Sequence, residues 1–195
     1  PTMEQALKAM QTHTDRLAGL VESITTLEDV EAGQLECHPQ PIQPVLLRAV
    51  QAIRQKVTRQ QLELQVDLNP SLPEVNLDPQ QLGLALWHLL DNAIKFNRPG
   101  GHIWMKAWVE NSEVLCSIRD DGIGIPRSEQ TRIFERFYQV DGSTKRRYEG
   151  MGLGLSIVRE VIEKHGGRVW VDSAGPNTGA TFTIALPAYR EEATV

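Results

Sequence analysis

Three clusters in this 195-residue chain carry residue types that could do chemistry. Asp120-Asp121-Gly122-Ile123-Gly124-Ile125-Pro126 follows a strand-like run, and two glycines one residue apart let a ligand come against bare backbone beside a carboxylate. A tight turn explains the same residues, since Asp and Gly are the commonest turn formers. Gly150-Met151-Gly152-Leu153-Gly154-Leu155 opens a helical stretch, whose free first-turn amides and partial positive charge suit a phosphate chain. It is not a P-loop, because no Gly-Lys-Ser/Thr follows, nor a dinucleotide fingerprint, because Leu155 stands where the third glycine belongs and no strand leads into it. Close helix packing through glycine is the plainer alternative. His88, Asn92 and Lys95, spaced by four and three, share one helix face. There an amide oxygen can ligate a hard cation and a lysine can meet phosphate, although a solvated face would look the same.

These clusters need elements to hold them. Asp78 followed by Pro79 reads as a cap and first-turn proline, opening a helix through Leu82, Leu86, Leu89, Leu90 and Ile94 that carries the His88 face. Strands at about 102–110 and 113–119, joined as a hairpin at Asn111-Ser112, lead into Asp120. A helix from Gly152 to Lys164 closes at Gly166-Gly167, and strands at 168–173 and 180–187 finish the domain. Upstream, a helix spans about 43–58, and Leu62 to Leu68 alternates as a half-buried strand. Strands grouped as hairpins with helices between them predict an α+β, two-layer α/β sandwich, helices laid on one face of a mixed sheet rather than alternating βαβ units. The stretch from Tyr138 to Gly150 fits no element, and so long a structureless segment in a compact domain is usually functional.

At the N-terminus, Met3, Met10, Leu17 and Ile24, with Ala6, Leu20 and Leu27, form a seven-residue repeat, the pattern of a long helix that seeks a partner. It stops near Gly33, and Pro39, Pro41 and Pro44 exclude a helix that runs on. The expected organisation is a helix over 1–36, a linker over 37–42, a domain over 43–190 and a tail over 191–195.

The bulk properties exclude several classes. A net charge of -5 argues against a surface built for nucleic acid, which wants cations to displace phosphate counterions. No stretch approaches the ~20 apolar residues needed to span a bilayer. Cys37 and Cys116 lack metal-ligand spacing and read as reduced thiols in a cytoplasmic protein.

Taken in order, the Asn-bearing helix, Asp-x-Gly-x-Gly, Ile133-Phe134-Glu135-Arg136-Phe137-Tyr138, Gly-x-Gly-x-Gly and Gly179-Ala180-Thr181-Phe182 resemble the ATP-binding catalytic domain of bacterial sensor histidine kinases, over about Gln43 to Pro187. The N-terminal helix looks like the second helix of that family's dimerisation hairpin. The resemblance implies a fold shared with gyrase B, with ATP and Mg²⁺ as cofactors. Asn92 would hold Mg²⁺ and Lys95 would contact phosphates, with His88 beside them. Asp120 would accept the adenine amino proton, Gly122 and Gly124 would let the base approach, and Ile125 would form part of the apolar wall. The segment from Tyr138 to Gly150, with Lys145, Arg146 and Arg147, would be a lid, and Phe134 and Phe137 would anchor its base. Gly150, Gly152, Leu153, Gly154 and Leu155 would form its hinge and phosphate-binding end. Gly179 and Thr181 would close the pocket.

By the same resemblance the γ-phosphoryl group passes to a histidine and then to a response-regulator aspartate. The family's His-Glu/Asp-x-Arg-x-Pro setting is not found: His13 is followed by Thr14-Asp15-Arg16-Leu17 and is expected to pack at the helix seam. The acceptor is therefore expected on a helical hairpin of the same protein or of a dimer mate, with a homodimer at full length and membrane attachment only through regions outside this chain. Two positions depart from the pattern: His88 stands where relatives often carry Asn or Glu, and Gln139 where arginine is frequent. A protein-serine kinase or ATPase of the same fold, or a nucleotide-binding dimer scaffold, are the alternatives.

Overall fold

The computed structural model describes residues 2–140 and 152–190. The chain divides into two compact units, residues 1–34 and 35–195. The first is a single helix, α1 (Met3–Ala32). The seam residues Met3, Met10 and Leu17 are 82%, 67% and 64% exposed, so the apolar stripe read from the heptads stands uncovered along this part of the helix. His13 lies within α1.

The second unit begins with β1 (His38–Pro41), in the stretch expected as a linker. This strand pairs antiparallel with β3 (Glu74–Leu77), a second strand that the periodicity did not announce. Between them lie α2 (Gln43–Arg59) and β2 (Glu63–Leu68). Residues Val45, Leu46, Ala49, Val50, Ile53 and Val57 line the buried face of α2 at helical spacing. Helix α3 (Pro79–Lys95) is capped as its sequence predicts, with the Asp78 carboxylate accepting from the amides of Gln80 and Gln81 at 2.9 and 3.1 Å. Strands β4 (His102–Glu110) and β5 (Glu113–Asp120) form the expected hairpin, and Asn111 and Ser112 both take positive φ, as a two-residue turn of this twist requires. A 3₁₀ turn at Arg132–Phe134, helix α4 (Gly154–Lys164), β6 (Arg168–Asp172) and β7 (Thr181–Pro187) complete the unit. Helix α4 starts two residues later than its glycines suggest.

The main sheet runs β2-β4-β5-β7-β6. All neighbours are antiparallel except β2 and β4, which are parallel across the crossover that contains α3. The sheet is therefore mixed, as expected, with one parallel unit among antiparallel pairs. Helix α3 packs against both α2 and α4. Its Leu82, Leu86, Leu89 and Leu90 are buried with Ile103, Met105 and Ala107 of β4, Ile118 and Cys116 of β5, and Ile184 and Leu186 of β7. Full burial of each large apolar side chain stabilises by about 1.5–3 kcal/mol. The strict alternation of β5 does the positioning: with Ile118 and Cys116 turned to the helices, Asp120 must turn the same way and Arg119 the other.

Candidate functional site

Asp120 ends β5 with 5% of its surface exposed. Its backbone amide donates to the Ala180 carbonyl at 2.9 Å, continuing the ladder with β7. Its Oδ1 accepts from the amides of Gly122 at 2.9 Å and Ala180 at 3.3 Å, while Oδ2 accepts no bond from the protein among the described residues. Oδ2 is also not a sealed atom, since Gln81 Oε1 is the buried and unpartnered side-chain atom among them. Burial pushes the Asp120 carboxyl up to about 6, with the neighbouring Asp121 adding to it and the two amides and Arg119 opposing. The geometry is that of an oriented carboxylate with one oxygen fixed and the other presented as an acceptor.

Close backbone approach explains the glycines here, and it is approach by the protein itself. A Cβ on Gly122 would strike the carbonyl oxygen of Phe96, the residue that caps α3, and that same oxygen accepts from the Ile123 amide at 3.0 Å. A Cβ on Gly124 would strike the Gly175 carbonyl. What these glycines admit within the protein is the end of α3 and the loop before β7. Gly179 (φ +74°) likewise has the Asp120 carbonyl where a Cβ would stand.

Asp121, which the sequence left without a role, ties this segment to the turn after α3 and to the start of β4. Its carboxylate accepts from the His102 amide and an Arg98 guanidinium nitrogen, both at 2.8 Å. Burial acts to raise its pKa, and these bonds more than offset it, holding the carboxyl below the usual range. Ser173 does similar work beyond Ile125: its hydroxyl accepts from the Ile125 amide at 3.0 Å and donates to the Gly179 carbonyl at 2.7 Å. No sequence signal distinguishes Ser173 from an ordinary loop serine.

The second part of the site is the His88–Asn92–Lys95 face of α3. Asn92 makes no side-chain hydrogen bond among the described residues, and neither ring nitrogen of His88 makes one. His88 meets Trp87 edge to face at 5.0 Å between centroids. On its other side a Cβ on Gly154 would lie 3.0 Å from His88 Nδ1, so the imidazole looks onto the first residue of α4. Burial pushes the His88 pKa down to about 4 against the pull of Asp91, leaving it neutral at physiological pH. Asp91 is ion-paired to Lys56 of α2. Lys95 Nζ lies 5.5 Å from the Phe96 ring centre. Helix α4 has no side chain capping its start, so its first amides remain available to an anion. The Asn92 amide oxygen, a hard ligand, is of a kind that fits a divalent cation with a phosphate chain.

The remaining expected residues fall as follows. Leu153 is buried at 1% and Leu155 half-buried, packing the start of α4. Gly152 (φ +70°) receives the Phe137 amide on its carbonyl at 2.9 Å, and the Phe137–Tyr138 backbone occupies the place of a Cβ. Phe134 is buried edge-on to Phe182, but Phe137 is 61% exposed, so Phe137 holds this junction through its backbone and its ring anchors nothing in the core. The Tyr138 hydroxyl donates to Glu129 and its ring lies under Arg132 at 4.3 Å. Lys145, Arg146, Arg147 and Gly150 lie outside the described residues. Thr181 is the displaced one: it pairs with Arg119, so its side chain belongs to the sheet face opposite the Asp120 carboxylate, and Ala180 holds the position beside Asp120. Thr181 lines a cavity of about 520 Å³ with Arg119, Arg127, Gln130 and Asp172, which Asp120, Gly179 and Ala180 also border and to which His88, Asn92 and Lys95 do not contribute.

Comparison with known proteins gives the family. Residues 77–190 match the family of histidine kinase-, DNA gyrase B-, and HSP90-like ATPases. The circadian input-output histidine kinase CikA of Synechococcus elongatus is 33% identical over 185 residues, covering 93% of this chain and 24% of CikA. The solved mycobacterial sensor histidine kinase MprB is 32% identical with a TM-score of 0.69, covering 80% of this chain and 99% of that one. Full-length ShkA, solved in complex with AMPPNP, is 25% identical with a TM-score of 0.79, covering 98% of this chain and 40% of that one. The chain spans about a quarter to a third of the length of the first curated relatives it matches. The chain belongs to the histidine kinase-, DNA gyrase B-, and HSP90-like ATPase family, and within it has the catalytic domain of a sensor histidine kinase.

Proposed function

We propose that this domain binds ATP with Mg²⁺ and transfers the γ-phosphoryl group to the imidazole of a histidine on a helical hairpin of the same protein or of its dimer mate, for relay to a response-regulator aspartate in the cytoplasm. The observation that carries this reading is the half-committed carboxylate of Asp120: Oδ1 is fixed by two amides and Oδ2 is left to accept. An acceptor in that place selects adenine, whose amino group donates where guanine presents a carbonyl. Asn92 would hold the cation, Lys95 and the start of α4 would meet phosphate oxygens, and His88 would stand beside them. Bound Mg²⁺ would neutralise charge on the transferring group. The domain's own contribution is orientation and electrostatics. The uncovered seam of α1 supports a helical partner, which a homodimer would supply.

The test is transfer in trans. Incubated with γ-labelled ATP and the phosphoacceptor hairpin of the full-length protein, the chain is expected to yield a phosphoprotein that is stable to base and lost in acid, as phosphohistidine is. An acid-stable, base-labile product would move the assignment to a serine kinase, and loss of label to inorganic phosphate without transfer would move it to an ATPase.

A further inference from the structure

The cavity of about 520 Å³ beside Thr181 is not used by the proposed nucleotide chemistry, and no residue of α3 or α4 lines it. It belongs to the sheet face away from the helices, since Trp104, Arg119, Thr181 and Asp172 form one cross-strand row that alternation turns from the core. Its walls are fixed from within. Gln130 Nε2 donates to the carbonyls of Ile125 at 3.1 Å and Ser173 at 2.7 Å, and the Thr178 hydroxyl donates to the Gly175 carbonyl at 2.6 Å, so the loop after Ile125 is pinned to the loop before β7. Two cations are left over. The Arg119 guanidinium lies 5.0 Å from the centre of the Trp104 ring, which holds its plane and leaves its N–H edge for an acceptor. Neither Arg119 nor Arg127 makes a hydrogen bond or ion pair among the described residues. In the same row Asp172 accepts from Trp170 Nε1 on Oδ2 at 3.1 Å and keeps Oδ1 uncommitted among those residues.

Two unpaired guanidiniums bordering one cavity suit a single dianion. A phosphate monoester carries close to two negative charges at neutral pH and offers three oxygens to the arginine forks, whereas one carboxylate would engage one fork and leave the other arginine unmet. The Asp172 carboxylate opposes a second acidic group on the ligand, and with Gln130 Oε1 it offers acceptors to hydroxyls. The volume falls within the roughly 300–1,000 Å³ of small-molecule sites, which leaves room for a body beyond the phosphate. We propose that this cavity is a second ligand site, in which Arg119 and Arg127 bind the phosphate of a small hydroxylated phosphate monoester while Asp172 and Gln130 accept from its hydroxyls. The inference does not rest on the ATP-binding reading. The alternative is that both arginines are solvated surface groups and the cavity holds water.

The test titrates the ¹⁵N-labelled wild-type chain with glucose 6-phosphate, inorganic phosphate, glucose and succinate, and reads the arginine Nε–Hε resonances, those of Arg119 and Arg127 being assigned through Arg119→Gln and Arg127→Gln. Saturable shifts of both resonances are expected with glucose 6-phosphate, at an affinity about tenfold above that for inorganic phosphate, and Arg127→Gln is expected to weaken binding about tenfold with an unchanged denaturation midpoint. Equal affinity for inorganic phosphate would overturn the monoester, and tighter binding of succinate would overturn the choice of phosphate. Shifts with glucose as large as with its phosphate, or no saturable shift with any probe, would overturn the site. Repeated with AMPPNP present, the titration is expected to give the same shifts, and their loss would assign the phosphate to the nucleotide site and overturn the proposal. A chain that shows these shifts but binds no AMPPNP supports this site and counts against the ATP reading alone.

Discussion

The two ends of the candidate site are built on opposite principles. Around Asp120 almost every polar group is satisfied from within: carboxylate to two amides, Gly122 against Phe96, Gly179 against Asp120, and Asp121 to Arg98 and His102. Along α3 the Asn92 amide and the His88 ring make no hydrogen bond among the described residues. The first end has a single oxygen to spare, and the second leaves its groups uncommitted among the described residues, as the proposed ion and phosphate site requires. The difference teaches where stability and function separate. Substitutions at the first end act on both, and those at the second act on binding with little effect on folding.

The most severe break in this contrast is Gly179→Ala, which puts a Cβ on the Asp120 carbonyl in a left-handed conformation. A loss of more than about 3 kcal/mol is expected in chemical denaturation, with Gly122→Ala close behind. Asp120→Asn sharpens the contrast because its effects on fold and function have opposite signs. A carboxyl raised from 3.8 to about 6 corresponds to about 3 kcal/mol of unfavourable ionisation. Because the folded pKa is the higher one, the stability from this group is fully present below about pH 4 and is lost as pH rises through about 6. Asp120→Asn is therefore expected to melt at or above wild type at pH 7, and the gap should close below pH 4. For the same reason the wild type's affinity for ATP should fall as pH drops through about 6, when Oδ2 ceases to be a free acceptor.

His165 is a smaller case. Buried at the end of α4, it has Nδ1 2.7 Å from the Val161 carbonyl and accepts on Nε2 from the Asp78 amide at 3.0 Å, joining the end of one site helix to the cap of the other. His165→Ala should cost about 2 kcal/mol by denaturant titration while leaving adenine selectivity in place. Asn92→Ala has the smallest expected effect on stability, within about 0.5 kcal/mol, since its amide bonds nothing in the described protein. Its signature is loss of the metal dependence of ATP binding, read by calorimetry with and without Mg²⁺.

What the sequence could announce follows from range. The Asp78–Pro79 cap, the α3 face and the Asn111-Ser112 hairpin are set by neighbours within a few residues, and they form as read. Strand β1 is His-Pro-Gln-Pro and β3 four residues, too short and too proline-bearing for alternation to register, and each exists because the other is beside it. The glycines were legible as sites of close approach, but what approaches them comes from Phe96 and Gly175, remote in sequence from their glycines. Thr181 shows how narrow the margin is: a strand's period of two makes a shift of one residue a change of face, and the ladder with β5 puts Ala180 beside Asp120. The free Oδ2 of Asp120 was beyond sequence altogether, since it depends on which amides fold back onto its partner oxygen.

The claim at the centre is that Asp120 reads adenine from a preformed setting, and calorimetric titration of the wild type and Asp120→Asn with ATP and GTP, with Mg²⁺ present and absent, tests it most directly. ATP binding strengthened by Mg²⁺, with GTP at least about a hundredfold weaker and binding abolished in a folded Asp120→Asn, is the expected result. Equal affinity for ATP and GTP, or ATP binding that survives in Asp120→Asn, would contradict it.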